Sequence, residues 1–598
     1  MPTLKPDDLI GKLLTASLKD VGNLNSCAHK DIQRDVAYAT RRLQNEGTSF
    51  VTKTLPSLGK ALDVALQEGV FSPMTAFKKQ PKGTLPSFMK GLFRGVFDAT
   101  GVLLVDPDRE AVRSLRQICF MFYKLDVPYK TEVIDETVRN FEQVDDGLDE
   151  AEEILPEKAG VVFHAQNIIG KLFRGFDPAK ITPRPGPGQC STRVPEEYRY
   201  EPQTKYLRIH ARYPYRTYYY ASGKHLFDRL RDYESLPKAD HAVSRLSLVP
   251  KDSRGPRIIC MEPPEYMWFQ QGLRKELYRH VENHWLTKGR VNFTDQSING
   301  NLALEASRSQ KYATLDMKEA SDRISTALVD VLFDDVPELR DSLLALSTEF
   351  IELPDGRLLR KKKFAPMGSA LCFPVMSIVH FALGVAAIHV ATRAPYKAIA
   401  DEFYVYGDDL VVPVKYVDIL FDTFPEYGLK FNRTKSCFKG YFRESCGIDA
   451  FMGTNVTPTK LKKLSFSRFD GASLQTAFAT FHSLFNRGMW GAAKIVQQHI
   501  EGIAGKFPAV SKTSAALGWI VPRDTLMLAN QGTFKWSPRY QCESVNARIV
   551  IPRQFASLSG GWEQCLRSQV HVTRDDTSQI VRRGQLKIYW SRIPISSL

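Results

Sequence analysis

An α+β fold, built as several subdomains around a shared cleft, is predicted by three observations. At 598 residues the chain exceeds what one hydrophobic core supports. Tyr406-Gly407-Asp408-Asp409 stands between two short apolar runs, Phe403-Tyr404-Val405 and Leu410-Val411-Val412, which reads as a hairpin whose Gly-Asp pair makes the tight turn. The longest apolar segment, Met376 to Ala391, carries His380 and His389 and is short for a membrane span, so it reads as a buried helix.

The bulk properties narrow the class. Apolar content of 43% and charged content of 25% are ordinary for a folded soluble protein, which excludes global disorder. The net charge of +15 suits a polyanionic partner. The nine cysteines are scattered, odd in number and form no CxxC, so free thiols in a reducing compartment are expected rather than a disulfide framework or a zinc site. The N-terminus has Asp7 and Asp8 ahead of only a short apolar stretch and does not read as a signal peptide; no membrane role is expected.

Residues 1 to about 180 read as mainly helical, for example Leu58 to Gly69, where Leu62, Val64, Ala65 and Leu66 group before a terminating glycine. Asp145 to Glu153 is strongly acidic and is expected to be a solvated helix face. The run Pro183-Arg184-Pro185-Gly186-Pro187-Gly188 breaks regular structure. A Tyr/Arg-rich stretch follows, from Tyr198 to Tyr220, and two readings stand: aromatic and cationic side chains that stack bases and hold phosphates, or a β-rich surface whose tyrosines pack on a neighbour. After about 460 the pattern is again helical, with Leu474, Phe478, Phe481 and Leu484/Phe485 on one face. The last fifty residues alternate strand-like runs with Arg and Lys.

The chemistry concentrates between 250 and 440. The hairpin turn pushes Asp408 and Asp409 into one small volume, where their repulsion makes sense once divalent cations neutralise it. A second apolar strand, Tyr312-Ala313-Thr314-Leu315, ends on Asp316. Two strand-borne acidic sites in a basic chain are what a two-metal phosphoryl or nucleotidyl transfer centre requires. Asp322, just before the helical run from Thr326, reads either as an acceptor for a ribose hydroxyl or as a helix-start carboxylate. Gly368 and Ser369 form a small, flexible entry to the apolar helix, with Pro374 in its first turn. Lys251, Arg254 and Arg257 lie on a basic loop that either converges on a triphosphate or is simply solvated. Lys435 reads as a proton donor to pyrophosphate or as a surface lysine.

Taken in order, VPKDSRGPRIICMEPP, QSINGNLALEAS, TLDMKEASDRIS, PMGSALCFPVMSIV, YVYGDDLVVP, LKFNRTKSCF and FRESCG closely resemble motifs F, A, B, C, D and E of the RNA-directed RNA polymerases, with one lead-in segment before motif A. Among these the resemblance is to the replicase subunit of the single-stranded RNA bacteriophages, the leviviruses. It covers about 245 to 460. It implies a right-hand fold of fingers, palm and thumb with an antiparallel-sheet palm. The regions expected are 1–182, helical, contacting fingers and thumb; 183–310, fingers; 311–460, palm, with part of the fingers at about 345–370; and 461–598, thumb and C-terminal region. It assigns Asp316, Asp408 and Asp409 to two magnesium ions, with manganese as a substitute. It further implies RNA template, nascent RNA and nucleoside triphosphates as partners, and the cytoplasm of an infected bacterium as location. Host elongation factors Tu and Ts and ribosomal protein S1 are implied as borrowed subunits. One departure is that many viral polymerases carry an Asn on the motif B helix, where Met376 and Ser377 stand here. A reverse transcriptase with the same acidic site and a non-catalytic RNA-binding protein are the alternatives; Asp322 argues against the first, and three carboxylates in the cleft argue against the second.

Overall fold

Apolar residues on both faces of two neighbouring strands place them at the centre of the molecule. In the computed structural model, which describes residues 6–148, 159–192, 199–464, 470–552 and 586–597, strand Tyr312–Lys318 pairs antiparallel with Asp409–Pro413. The latter pairs antiparallel with Tyr404–Tyr406, and Lys430–Phe431 adds to the free side of Tyr312–Lys318. Ala313, Leu315, Leu410, Val411 and Val412 are buried. Helix Cys372–Thr392 packs against this sheet beside Tyr404–Tyr406, and helix Ser297–Ser309 packs against Tyr312–Lys318 and Asp409–Pro413. The approach of the long helix is close: a Cβ on Gly384 would lie 2.3 Å from the Phe403 ring, so only glycine fits there. That helix is the one described segment long and apolar enough to cross a membrane, and most of it is buried in the core of this protein. It also packs against helix Ala159–Leu172.

The two ends of the chain share a second core. Helices Pro6–Leu24, Leu55–Glu68 and Arg109–Phe120 bury leucines and phenylalanines together with those of Gly471–Phe485 and Trp490–Ala504. On Leu55–Glu68, Leu62, Ala65 and Leu66 point inward while Val64 is exposed, and Gly69 closes the helix at φ +79°. A three-stranded sheet, Phe442–Ser445, Ile448–Phe451 and Thr454–Asn455, contributes Phe442 and Phe451 to this core. Arg116, buried, ties the N-terminal helices to that sheet through Asp63 and Asp449.

A further sheet carries the basic segment. Val243–Asp252 and Gly255–Met261 form an antiparallel hairpin with its tip at Ser253-Arg254, extended by the parallel strand Phe350–Glu352 and then Leu358–Arg360. Near the C-terminus the expected strands form a small sheet in which Cys542–Pro552 pairs with Leu586–Pro594 and Lys535–Ser537. Helix and strand are thus both abundant, an α+β architecture.

Two expectations are corrected or narrowed, and one holds among the described residues. Asp145, expected on a solvated acidic face, is fully buried, because its carboxylate accepts the backbone N–H groups of Lys362 and Lys363 at 3.1 Å; the rest of that acidic run from 149 lies outside the described residues. The Tyr-rich stretch forms the two-residue strand Lys205–Tyr206 and then short helices, Leu207–Arg212 and Tyr215–Tyr218, rather than a β-rich surface. Its Tyr206, Tyr213, Tyr215 and Tyr219 are buried, Tyr213 stacked on Phe269 and Tyr219 on Trp268, so their rings serve packing; Tyr198 lies outside the described residues. The cysteines among the described residues are free thiols.

Candidate active site

Tyr406 stands opposite Asp409 in the hairpin, leaving Gly407 and Asp408 as a two-residue turn. Gly407 has φ +66°, while Asp408 is not left-handed, the pattern of a type II′ turn with glycine first. Space also demands glycine, since a Cβ at 407 would lie 2.3 Å from the Phe373 ring. The long helix grips this turn through both polar groups of Gly407. Its N–H donates to Ser377 Oγ at 3.1 Å, and its carbonyl lies 3.0 Å from His380 Nδ1. Burial pushes the His380 imidazole down to about 4, so the ring is neutral and Nδ1 carries the proton that the carbonyl accepts. Met376 and Ser377, where an Asn was anticipated, are buried, and Ser377 serves the turn.

The strand pairing sets Asp316 directly opposite Asp409, with exposed Asp408 at the adjoining turn. Burial raises the Asp409 carboxyl to about 7, and the charges of Asp408, Glu444 and Asp316 add to the effect. Asp316 is also raised, first by burial, with Lys435 opposing and Asp408 adding. These mutual effects show that the three carboxylates foreseen from the sequence occupy one field. Glu444, on strand Phe442–Ser445, is a fourth that sequence reasoning did not single out, although it lies within FRESCG. Asn299 was missed as well; its side chain donates to the Asp409 carbonyl at 3.3 Å and steadies the strand.

Lys435 meets this cluster. Its Nζ lies 3.2 and 3.3 Å from the two Asp316 carboxylate oxygens. The segment is held there by backbone pairing, Cys437 with Thr314 and Asn432 with Asp316. The donor set, all carboxylate oxygen, suits a hard cation such as magnesium. As the side chains stand, no three His, Cys, Asp or Glu among the described residues are gathered tightly enough to hold a metal. Asp316 faces the Lys435 ammonium and Asp409 accepts the Cys446 N–H at 3.1 Å. A divalent cation there would compete with that ammonium for the Asp316 oxygens.

Asp322 lies in the short helix Ala320–Arg323, six residues beyond Asp316. Its carboxylate is raised by burial, and Lys363, 3.9 Å away, opposes that rise. Gly368 is held at φ +124° against the Gly255–Met261 strand, where a Cβ would lie 2.0 Å from the Cys260 carbonyl oxygen. Its neighbour Met367 accepts the Cys260 N–H at 2.7 Å, so the helix entry is pinned to the basic hairpin's sheet. Ser369 is buried and its Oγ accepts the Leu371 N–H at 3.3 Å, a contact within the loop itself.

The basic hairpin brings Lys251 within the electrostatic reach of Lys435. Lys251, though exposed along its side chain, is lowered first by desolvation of its ammonium and then by Arg257 and Lys435 among others, which sets that ammonium in the field of the Asp316 partner. Lys251 and Arg257 are exposed. Arg254 is committed elsewhere, paired with Asp252 at 2.8 Å and laid over the Tyr123 ring. The N-terminal region also supplies Lys60, over the same ring at 5.7 Å, a cation no motif marked.

Residues 226–470 match the family model described as "RNA replicase, beta-chain". The chain is 36% identical over 214 residues to the RNA-directed RNA polymerase subunit beta of Qbeta virus (strain MX1), covering 35% of this chain and 34% of that protein. It is 35% identical over 215 residues to the subunit of Enterobacteria phage SP, covering 36% of this chain and 35% of that protein. The RNA-directed RNA polymerase beta chain of Escherichia phage MS2 is 32% identical over 216 residues, covering 36% and 37% of the two. The matched part thus spans about a third of the length of these relatives. The segment that carries Asp316, Asp408, Asp409 and Lys435 is thus similar to the RNA replicase beta-chains.

Proposed function

We propose that the chain is an RNA-directed RNA polymerase that copies a single-stranded RNA phage genome from nucleoside triphosphates. The carrying observation is the register that sets Asp316 against Asp409 beside the Gly407-Asp408 turn, within a segment matching the RNA replicase beta-chains. In this reading the central sheet is the palm of a right-hand fold, the sheet of the basic hairpin belongs to the fingers, and the C-terminal helices to the thumb. Asp316 and Asp408 hold two magnesium ions with Asp409 in support, and the metal supplies activation of the 3′-hydroxyl and charge stabilisation of pyrophosphate.

The protein's own part is orientation and charge. Ser377 and His380 fix the turn that presents Asp408. Lys251 and Arg257 draw the triphosphate toward the carboxylates. Lys435, released from Asp316, stands ready to give a proton to the leaving pyrophosphate. Asp322 accepts a hydrogen bond from the ribose hydroxyl, which selects ribonucleotides. The site of action is the bacterial cytoplasm, and elongation factors Tu and Ts and protein S1 are candidate companions.

The test is labelled nucleotide incorporation on RNA templates by the purified chain, alone and with host extract, with ribo- and deoxyribonucleotides and with and without magnesium. Asp316→Asn and Asp408→Asn are expected to fold and bind RNA yet lose synthesis by several orders of magnitude, since the carboxylates act through charge. Near-normal incorporation by either variant, or by wild type under chelation, would refute the proposal.

A further inference from the structure

Lys363 is among the largest fully buried side chains of the molecule. It sits between two carboxylates, its Nζ 3.8 Å from Asp145 Oδ1 and 3.9 Å from Asp322 Oδ1. It donates to the Phe141 carbonyl at 3.0 Å and lies 3.4 Å from the centre of the Phe141 ring. Its backbone is fixed from both sides. Asp145 accepts its N–H at 3.1 Å, and Lys363 bridges Ser325, three residues beyond Asp322, with Thr326 N–H to Lys362 O and Phe364 N–H to Ile324 O on either side. A buried lysine is costly unless its charge is used. Here it is led to the one carboxylate proposed to read the ribose, by a helix from an N-terminal part of the chain outside the segment matched to the family.

An acceptor for a ribose hydroxyl works best as the carboxylate, which offers no competing proton. Burial acts against that form of Asp322, and so do the charges of Glu319 and Asp145; Lys363 and Arg323 act for it. The thiols of Cys260 and Cys372 face the same group. Lys361, Arg323, the Cys260 thiol and the carboxylates of Asp145 and Asp322 are the titratable and charged groups facing Lys363.

We propose that Lys363 is a positioning residue that keeps Asp322 an ionised acceptor for the nucleotide's ribose, and that Asp145 sets how much of the Lys363 charge reaches it. This rests on the reading of Asp322 given above, and the two are separable by experiment. The readout is the ratio of kcat/KM for GTP over dGTP between about pH 6 and 9, spanning neutrality. Titrations that affect both nucleotides alike cancel in that ratio.

Asp322→Ala is expected to lower the ratio about ten- to a hundred-fold at every pH, the range for an unmatched buried polar partner. With Lys363→Met the carboxyl keeps its proton to higher pH, so the ratio should be depressed at the acid end and recover as pH rises. Asp145→Asn keeps the shape, removes a competing charge and should carry full discrimination to lower pH than wild type. Lys363→Arg should restore the wild-type profile. A purely structural role would move the Met and Asn variants in the same direction or leave both profiles flat, and either result overturns the proposal. Should Lys363→Met fail to fold, Asp145→Asn decides alone: no shift, or a shift to higher pH, overturns it. An unchanged ratio in Asp322→Ala removes the ribose reading itself, whereas a lowered ratio there with wild-type behaviour in the other variants removes only the role of Lys363.

Discussion

The Gly407-Asp408 turn and the Ser253-Arg254 turn are both hairpin tips that bring charge to one cleft, the first acidic and the second basic, and they are secured by different means. The acidic tip is held from within the matched segment: Ser377 and His380 of the neighbouring helix take the N–H and the carbonyl of Gly407, and Phe373 leaves no room for a Cβ. The basic tip is held from far along the chain. Ser253 Oγ donates to the Thr52 carbonyl at 2.7 Å, within the π-helical turn Phe50–Thr54, and the Tyr129 hydroxyl donates to the Asp252 carbonyl at 2.9 Å while accepting the Lys251 N–H at 3.2 Å. In the proposed reading the acidic turn holds metal and tolerates little displacement, and the buried helix fixes it through both backbone groups of Gly407. A triphosphate is held by long cations, and for those an approximate placement on a hairpin steadied by neighbours suffices.

The difference is open to direct attack. Gly407→Ala forces a left-handed residue against Phe373 and should cost about 2–5 kcal/mol locally. The resulting shift of Asp408 is expected to reduce synthesis by about a hundred-fold or more, the effect of a roughly 1 Å misplacement. Incorporation kinetics and thermal unfolding of the same preparation check both, and full activity in the Gly407→Ala variant would remove the rigid-turn side of the comparison.

Asp409 sharpens the same contrast through pH. Folding holds its carboxyl at about 7, above the ordinary 3.8, first through burial. A group raised in this way stabilises most below its unfolded value, and the contribution is lost as pH rises to about 7. Asp409→Asn should therefore leave the metal-free protein increasingly more stable than wild type across that window, by about 1–3 kcal/mol at its upper end. Thermal unfolding with chelator at several pH values measures it. A variant less stable than wild type above neutrality would show that the carboxylate cluster carries no repulsive load.

At the basic tip, Arg257→Ala is expected to raise the nucleotide KM or lower kcat several-fold while leaving the salt dependence of template affinity unchanged. If the log-affinity versus log-salt slope instead falls in magnitude by about one unit with normal nucleotide kinetics, the hairpin grips RNA backbone. The smallest effect belongs to Ser253→Ala, which removes the hydrogen bond to Thr52 and should cost about 1 kcal/mol with activity nearly intact. Loss of synthesis comparable to that of Gly407→Ala would show the two tips to be equally constrained.

What was legible in the sequence is local in the chain. The hairpin of 404–413, the strand carrying Asp316, the helix entry at Gly368 and the buried helix behind them follow from apolar runs, turn residues and spacing, because each is decided by neighbours within a few residues. That Asp316, Asp408 and Asp409 stand close together was legible for the same reason, since each ends or turns a short apolar strand.

What only the tertiary structure decided depends on partners hundreds of residues apart. No pattern announces that Asp145 will be buried on Lys363 beside Asp322, because an acidic helix end looks the same whether solvent or a lysine meets it. Nor does spacing reveal that Arg254 turns to Asp252 and Tyr123, or that the tyrosines of 206–219 close over Trp268 and Phe269. Lys435 carries the same lesson: the sequence offered a cation near a motif, and the pairing of Cys437 with Thr314 placed it on Asp316. The sequence by itself determined the three aspartates and the charged segments around them; the fold decided which of those charges meet and added Glu444, because burial and distance, not residue type, set the strength of an electrostatic contact.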